Sequence, residues 1–229
     1  MRIFDIIKSY TLRSDKDSLD INLSVPDFTY QDAPKLSPEE LGYRGELSLI
    51  ATLTNHAIPG SFILLNNLYV PNGYSTSEID LVMVHEKGFF VFENKNYRGW
   101  IYGSAGQQQW TQTFSSGQKF QFYNPILQNK AHINALSNYL NIPTDEFFSI
   151  IVFSDECVLK TPPISADKVV VIQLSSLVSY LNRKLSRSSI KYSQAEKKSI
   201  VDKLKVYRAL TPEDKQLFSK AHEEQKNDG

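Results

Sequence analysis

Ile79-Asp80-Leu81-Val82-Met83-Val84-His85-Glu86-Lys87-Gly88-Phe89-Phe90-Val91-Phe92-Glu93-Asn94-Lys95 is the stretch that decides the fold. Two apolar runs flank a His-Glu-Lys-Gly turn, the pattern of a hairpin buried on both faces. Whether the turn is counted as two residues or four, opposed residues keep the same numerical sum, so Asp80 falls across from Glu93. Opposed β-carbons in such a ladder lie about 5 Å apart, and like charges there destabilise the pair. Side chains alternate along a strand, which puts Lys95 on the face of Glu93. A cation between the carboxylates, with Lys95 beside them, resolves the conflict. Two carboxylates and a lysine in a buried hairpin therefore point to a divalent metal and phosphodiester chemistry. The bland account is a cross-strand ion pair in which Lys95 faces Glu78.

Outward from the hairpin, Ser37-Pro38-Glu39-Glu40 reads as a capped helix start, with Ser37 at N-cap, Pro38 at N1 and Glu40 closing a capping box. That helix is expected to run to His56, ahead of Ile58-Pro59-Gly60. Phe62–Leu68 is a third strand-like run. Trp100–Tyr102 and Gln109–Thr111 suggest a smaller hairpin around Gly103-Ser104-Ala105-Gly106. Asn124 and Pro125 open a second helix to Leu140. Phe147–Phe153 and Val169–Gln173 read as strands, and helices are expected over Ser175–Leu185, Ser193–Ala209 and Pro212–Gln225. The order predicts an α/β fold with a mixed central sheet flanked by helices. It divides into an arm (1–37), a core (38–175) and a C-terminal helical extension (176–229).

Two helical positions add to the hairpin. Glu46 shares a face with Leu49, Ile50 and Leu53, so it points toward the core and needs a partner, either a basic side chain or a metal site. Gly42 and Gly45 in its first turns weaken that helix by about 1 kcal/mol each, which makes sense where a backbone or ligand comes close. On the second helix Gln128 and His132 are one turn apart. A glutamine there can order a water or hold a phosphate oxygen, while His132 is an ordinary buried histidine in the simplest account.

Composition excludes several classes. A 229-residue chain that is 41% hydrophobic and 12% aromatic can bury a real core. The lone Cys157 leaves no internal disulfide framework and no cysteine zinc site. No apolar run reaches membrane-spanning length, and Met1–Lys8 lacks the features of a signal peptide, so a cytoplasmic location with no membrane partner is expected. Lys+Arg and Asp+Glu balance at 25 each, which advertises no nucleic-acid binding. Residues 183–208 are nevertheless strongly basic and offer a positive face if they fold near the site.

Gly42-x-x-Gly45-Glu46, Ile79-Asp80, Glu93-Asn94-Lys95-Asn96-x-x-Gly99, Trp110 and Asn124-Pro125-Ile126-x-Gln128-Asn129, in this order, resemble the NERD (nuclease-related) domain of the PD-(D/E)xK nuclease superfamily, over about residues 41–155. The resemblance implies a restriction-endonuclease-like core. It implies that Glu46, Asp80 and Glu93 bind Mg²⁺ or Mn²⁺, that Lys95 activates water or steadies charge on the phosphate, and that Gln128 matches a glutamine of exonuclease-like branches. Two departures stand out: Ile79 where the superfamily's name has proline, and His132 where such branches often have tyrosine. Hard carboxylate ligands suit Mg²⁺ or Mn²⁺.

The expected function is a metal-dependent nuclease acting on DNA, with strand preference open. One site per chain makes a homodimer, or two successive events, the routes to cutting both strands. Arg44, Arg98 and Lys119 are candidate phosphate contacts, and Trp100, Trp110 and Phe114 candidates for stacking on unpaired bases. The competing function is a catalytically inactive nucleic-acid-binding or protein-interaction module on the same fold.

Overall fold

The structure is a computed structural model that describes residues 38–72 and 75–209. The expected arm with its Ser37 cap, and the helix expected over Pro212–Gln225, lie outside the described residues. In chain order the elements are α1 (Pro38–Asn55), β1 (Phe62–Asn72), β2 (Ser75–His85), β3 (Gly88–Lys95), β4 (Gly99–Tyr102), β5 (Gln109–Thr113) and β6 (Lys119–Tyr123). There follow α2 (Pro125–Leu140), β7 (Phe147–Phe153), β8 (Cys157–Leu159), β9 (Val169–Gln173), α3 (Leu174–Ser186) and α4 (Gln194–Leu204), with a short 3₁₀ turn before β7 and another after α4.

The main sheet has the order β1-β2-β3-β7-β9. β1, β2 and β3 form an antiparallel meander, and β7 and β9 continue it in parallel, so the sheet is mixed. The central strands carry near-continuous apolar runs, Leu81–Val84, Phe89–Phe92 and Ile150–Phe153, because helices cover both faces. All seven residues of β7 are buried. On one face α2 and α4 pack Ile133, Leu136, Ile200 and Leu204 against Val82, Val84, Phe89 and Val91. On the other, α1 and α3 pack Leu49, Leu53, Leu177 and Leu181 against Met83, Phe90 and Phe92. This is the expected α/β architecture, with a restriction-endonuclease-like core.

A second sheet, β6-β5-β4-β8, lies in the connection from β3 to α2 and is closed by β8. Its inner side chains, Ile101 and Trp110, join Ile151, Phe153 and Cys157. Asn124 fastens the sheet to α2. Its side chain accepts the Ile126 N–H at 2.9 Å and donates to the Gln107 carbonyl at 2.6 Å, so one residue caps the helix and holds the β4–β5 tip.

The main sheet carries one break in its alternation. In β2, Val82 and Val84 point to the α2 side and Leu81 and Met83 to the α1 side, but Ile79 also lies on the α2 side. β1 breaks in step, since Ile63, Leu65, Leu68 and Val70 all belong to the α2 side. The register is unchanged across the break, with Asn66 opposite Leu81 and Leu68 opposite Ile79. Asn67 and Asp80 lie between these pairs. Asn67 takes a left-handed φ of 53°, a conformation asparagine tolerates better than most residues. Both strands therefore turn over together at the level of Asp80.

The two helix glycines separate here. A Cβ on Gly45 would stand 2.5 Å from Asn94 Nδ2 and 2.7 Å from Asn96 Cβ, so the close approach of α1 to the end of β3 requires glycine. A Cβ on Gly42 meets nothing within 4 Å among the described residues. Gly42→Ala should therefore raise the melting temperature, in line with a gain of up to about 1 kcal/mol from helix propensity. Gly45→Ala should lower it, with an overpacking cost of about 1–3 kcal/mol. Thermal denaturation of the two variants side by side checks the contrast.

Candidate active site

β2 and β3 separate where the charged residues begin. Their turn is as expected, with His85 opposite Gly88, and the ladder runs back to Leu81 opposite Phe92. The same register would next pair Asp80 with Glu93, but the ladder ends one step short. Instead the Asn94 N–H donates to Asp80 Oδ2 at 2.9 Å, so a carboxylate takes the place of a strand neighbour. β3 stays paired to β7 on its other side as far as Lys95 opposite Phe153. Glu93 and Lys95 thus sit on a strand that is held on one side and released on the other.

Glu93 is 1% exposed. Lys95 Nζ lies 2.7 Å from its Oε1 and also donates to Gln128 Oε1 at 3.1 Å. His132 Nε2 lies 3.3 Å from Glu93 Oε2, and that oxygen accepts no hydrogen bond among the described residues. On its other side, His132 Nδ1 shares a 2.7 Å hydrogen bond with Ser77 Oγ of β2. The phase of α2 brings Gln128 and His132 here together. Asn124 sets its start, and the buried Asn129 donates to the Val91 carbonyl and to Ser149 Oγ, each at 2.9 Å, pinning the helix across β3 and β7.

Negative charge is in surplus. Burial raises the Asp80 carboxyl well above the usual carboxylate range, and the neighbouring Glu93 and Glu46 charges add to the rise. The Asn94 N–H and Lys95 act against it. Burial works against the Lys95 ammonium, but the charge and hydrogen bond of Glu93, followed by Asp80, outweigh it and raise its pKa. Tyr69 of β1 donates to Glu78 Oε1 at 2.5 Å. Its hydroxyl is pushed up by burial, by Glu78, and by the charges of Glu46 and Asp80. Glu46, from α1, therefore acts electrostatically on Asp80 and Tyr69. The bland pairing of Lys95 with Glu78 does not occur, because the β2–β3 ladder ends at Leu81 opposite Phe92, Lys95 turns to Glu93 and Gln128, and Glu78 accepts from Tyr69.

Other residues singled out from the sequence are dispersed. Trp110 is fully buried and stacks on Phe153 at 6.0 Å, so it is core. Trp100 is exposed and Phe114 half-buried. Arg98 is ion-paired with Glu156, while Arg44 and Lys119 are exposed. The basic C-terminal segment is largely spent on the fold. Lys184 pairs with Asp167, Lys191 with Glu146 and Lys205 with Asp202, Lys197 is buried against Ser61, and Arg208 binds Asn66. Among the described residues no helix is long and apolar enough to cross a membrane. Nor, among them, do three or more His, Cys, Asp or Glu side chains converge closely enough to hold a metal ion as they stand. Sequence reasoning missed Ser77, Asn94 and Tyr69. Ser77 and His132 are far apart in the chain, and no local pattern links them.

The family model for the nuclease-related domain matches residues 41–154, which contain Glu46, Asp80, Glu93, Lys95, Gln128 and His132. An uncharacterized protein of Bacillus anthracis is 32% identical over 173 residues, covering 72% of this chain and 80% of that protein. No solved structure matches the chain.

A carboxyl whose folded pKa lies above its unfolded value contributes stability that is fully present below the unfolded pKa. That contribution is lost as pH rises through the folded pKa. Ionised Asp80 is therefore a liability near neutral pH. Asp80→Asn, which keeps an oxygen for the Asn94 N–H, should raise the melting temperature at pH 7. The gain should shrink to nothing at acid pH, where the native Asp80 is protonated. Melting curves of both proteins across pH measure it.

Proposed function

The chain belongs to the nuclease-related domain family, and from its nuclease-type fold we propose that it is a divalent-metal-dependent nuclease hydrolysing phosphodiester bonds in DNA. The observation that carries this is the pairing of Lys95 with buried Glu93 at the point where β2 leaves β3, beside Asp80 and within the electrostatic reach of Glu46. A structural ion pair needs one carboxylate per lysine. Here Lys95 faces more negative charge than it can balance, and the surplus suits a cation.

The donors fit such a group in chemical class. Glu46, Asp80 and Glu93 offer hard carboxylate oxygens, and among the described residues Glu93 Oε2 has no hydrogen bond to give up. These three would hold Mg²⁺ or Mn²⁺. When bound, the cation supplies Lewis-acid polarisation of a phosphate oxygen and a water more acidic than bulk. The chain's own residues do the rest. Lys95 carries a raised pKa and stays charged at neutral pH, so its ammonium can donate to a non-bridging phosphate oxygen as negative charge builds there. Gln128 Oε1 accepts from Lys95 Nζ and would hold the ammonium in place. Asn94 would aim the Asp80 carboxylate through its main-chain N–H, a donor that Asn94→Ala leaves in place.

Purified full-length protein should digest DNA in Mg²⁺ or Mn²⁺ and not in chelator. Lys95→Ala and Asp80→Ala should each lower the rate by about a hundredfold or more, the scale of losing one preorganised stabilising group. Manganese titration by calorimetry should show binding that Asp80→Ala and Glu93→Gln weaken and Lys95→Ala retains. If the protein leaves linear, nicked and single-stranded DNA intact under all these conditions, the inactive binding module is the better description.

A further inference from the structure

The small sheet has an outer face that nothing described in the structure covers. β4 exposes alternate residues, with Ile101 buried between Trp100 and Tyr102. Trp100 is 36% exposed, Tyr102 44%, Tyr123 on β6 54% and Val158 on β8 49%. The register puts them on one side of the sheet. Trp100 is opposite Val158 and Thr113, Thr113 is opposite Lys119, and Tyr102 is opposite Thr111. Tyr123 is opposite Gln109, two residues along from Thr111 on the same side. The other side, with Ile101 and Trp110, is the packed one.

The charge of this region is one-sided. From Asn94 to Thr144 the sequence contains no Asp or Glu, although the whole chain has 25 of them, and it contains Lys95, Arg98, Lys119 and Lys130. Acids near β8 are occupied: Glu156 by Arg98, and Asp155 by the Ser175 hydroxyl at 2.7 Å. The neutral net charge of the chain hides this span. Exposed aromatic rings on a sheet with Lys119 at its rim and no acid in its strands suit a polyanion that carries flat, unpaired rings of its own. Bases paired inside a duplex cannot lie on such a face, whereas every unpaired base has a face that can. The sheet is also joined at both ends to the candidate active site. β4 follows Lys95 through Asn96–Arg98, and β6 leads through Asn124 into the helix that carries Gln128.

We propose that the outer face of the β4–β6 sheet, with Trp100, Tyr102 and Tyr123 as stacking residues and Lys119 at its rim, binds single-stranded DNA. The proposal rests on the nucleic-acid function above for its occupant and does not need catalysis. It makes the strand fed to the site a single one.

The chain's two tryptophans provide the test, because Trp100 is exposed and Trp110 is buried. Full-length protein in chelator is titrated with an oligothymidylate, following tryptophan fluorescence and anisotropy of a labelled strand. Saturable quenching is expected, absent in Trp100→Phe. Trp100→Ala and the double variant Tyr102→Ala/Tyr123→Ala should each weaken binding by about tenfold or more, the scale of losing one stacked base. Duplex of equal length should bind less tightly, and unchanged Trp110 emission and melting temperature certify the fold. Unaltered affinity in both variants overturns the proposal, as do a preference for duplex or for RNA, or Trp100 shielded from acrylamide before DNA is added. Digestion without any effect of the aromatic variants removes the platform and leaves the nuclease. Binding that depends on Trp100 without digestion in metal does the reverse.

Discussion

The ion pair of Lys95 with Glu93 is the constraint around which the structure is arranged. An ionised carboxylate that is 1% exposed costs several kcal/mol unless a partner and hydrogen bonds offset it. Lys95 offsets it only because both residues lie on the same face of β3, two positions apart, with Gln128 steadying the ammonium from α2. That arrangement in turn needs α2 at one height on the sheet, which Asn129 fixes from inside and Asn124 from the helix start. It also needs β2 out of the way, and the left-handed Asn67 and the Asp80–Asn94 bond mark where β2 is turned aside.

Asp80 is the counterpart that the fold does not satisfy. Half-buried and faced by Glu93 and Glu46, its ionised form is disfavoured, and the Asn94 N–H and the Lys95 charge only partly offset this. Groups held in such surplus tend to gather at functional sites, where a bound ligand completes the balance.

Much of this was legible in the sequence. The hairpin and its turn follow from two apolar runs around His85–Gly88. The span of α2 follows from Asn124 and Pro125, and β7 from an unbroken apolar run. β8 was not visible, because three residues become a strand only by pairing with β4. β6 was missed because its exposed Lys-Phe-Gln-Phe-Tyr owes its shape to β5. At the site, the sequence brought Asp80, Glu93 and Lys95 together but assumed an ideal ladder. The slip at Asn67 and Asp80 ends that ladder, and its only local sign is the Asn66-Asn67 pair inside an apolar run. His132 read as a plain buried histidine. Its contacts with Ser77 and Glu93 depend on the packing of α2 over β2 and β3, which no local pattern encodes.

The connection between β3 and β7 sets an order of events. β1, β2 and β3 meet through short turns, whereas Phe89 can pair with Phe147 only after β4, β5, β6 and α2 have been looped between them. Closing a long loop carries an entropy cost that must be met before the contacts it permits are gained. Glu93 and Lys95 thus enter the meander early, while Gln128 and His132 reach them only when the loop closes. A nascent chain therefore carries its acids before the helix that completes their surroundings has been made, and competence at the site waits on that helix.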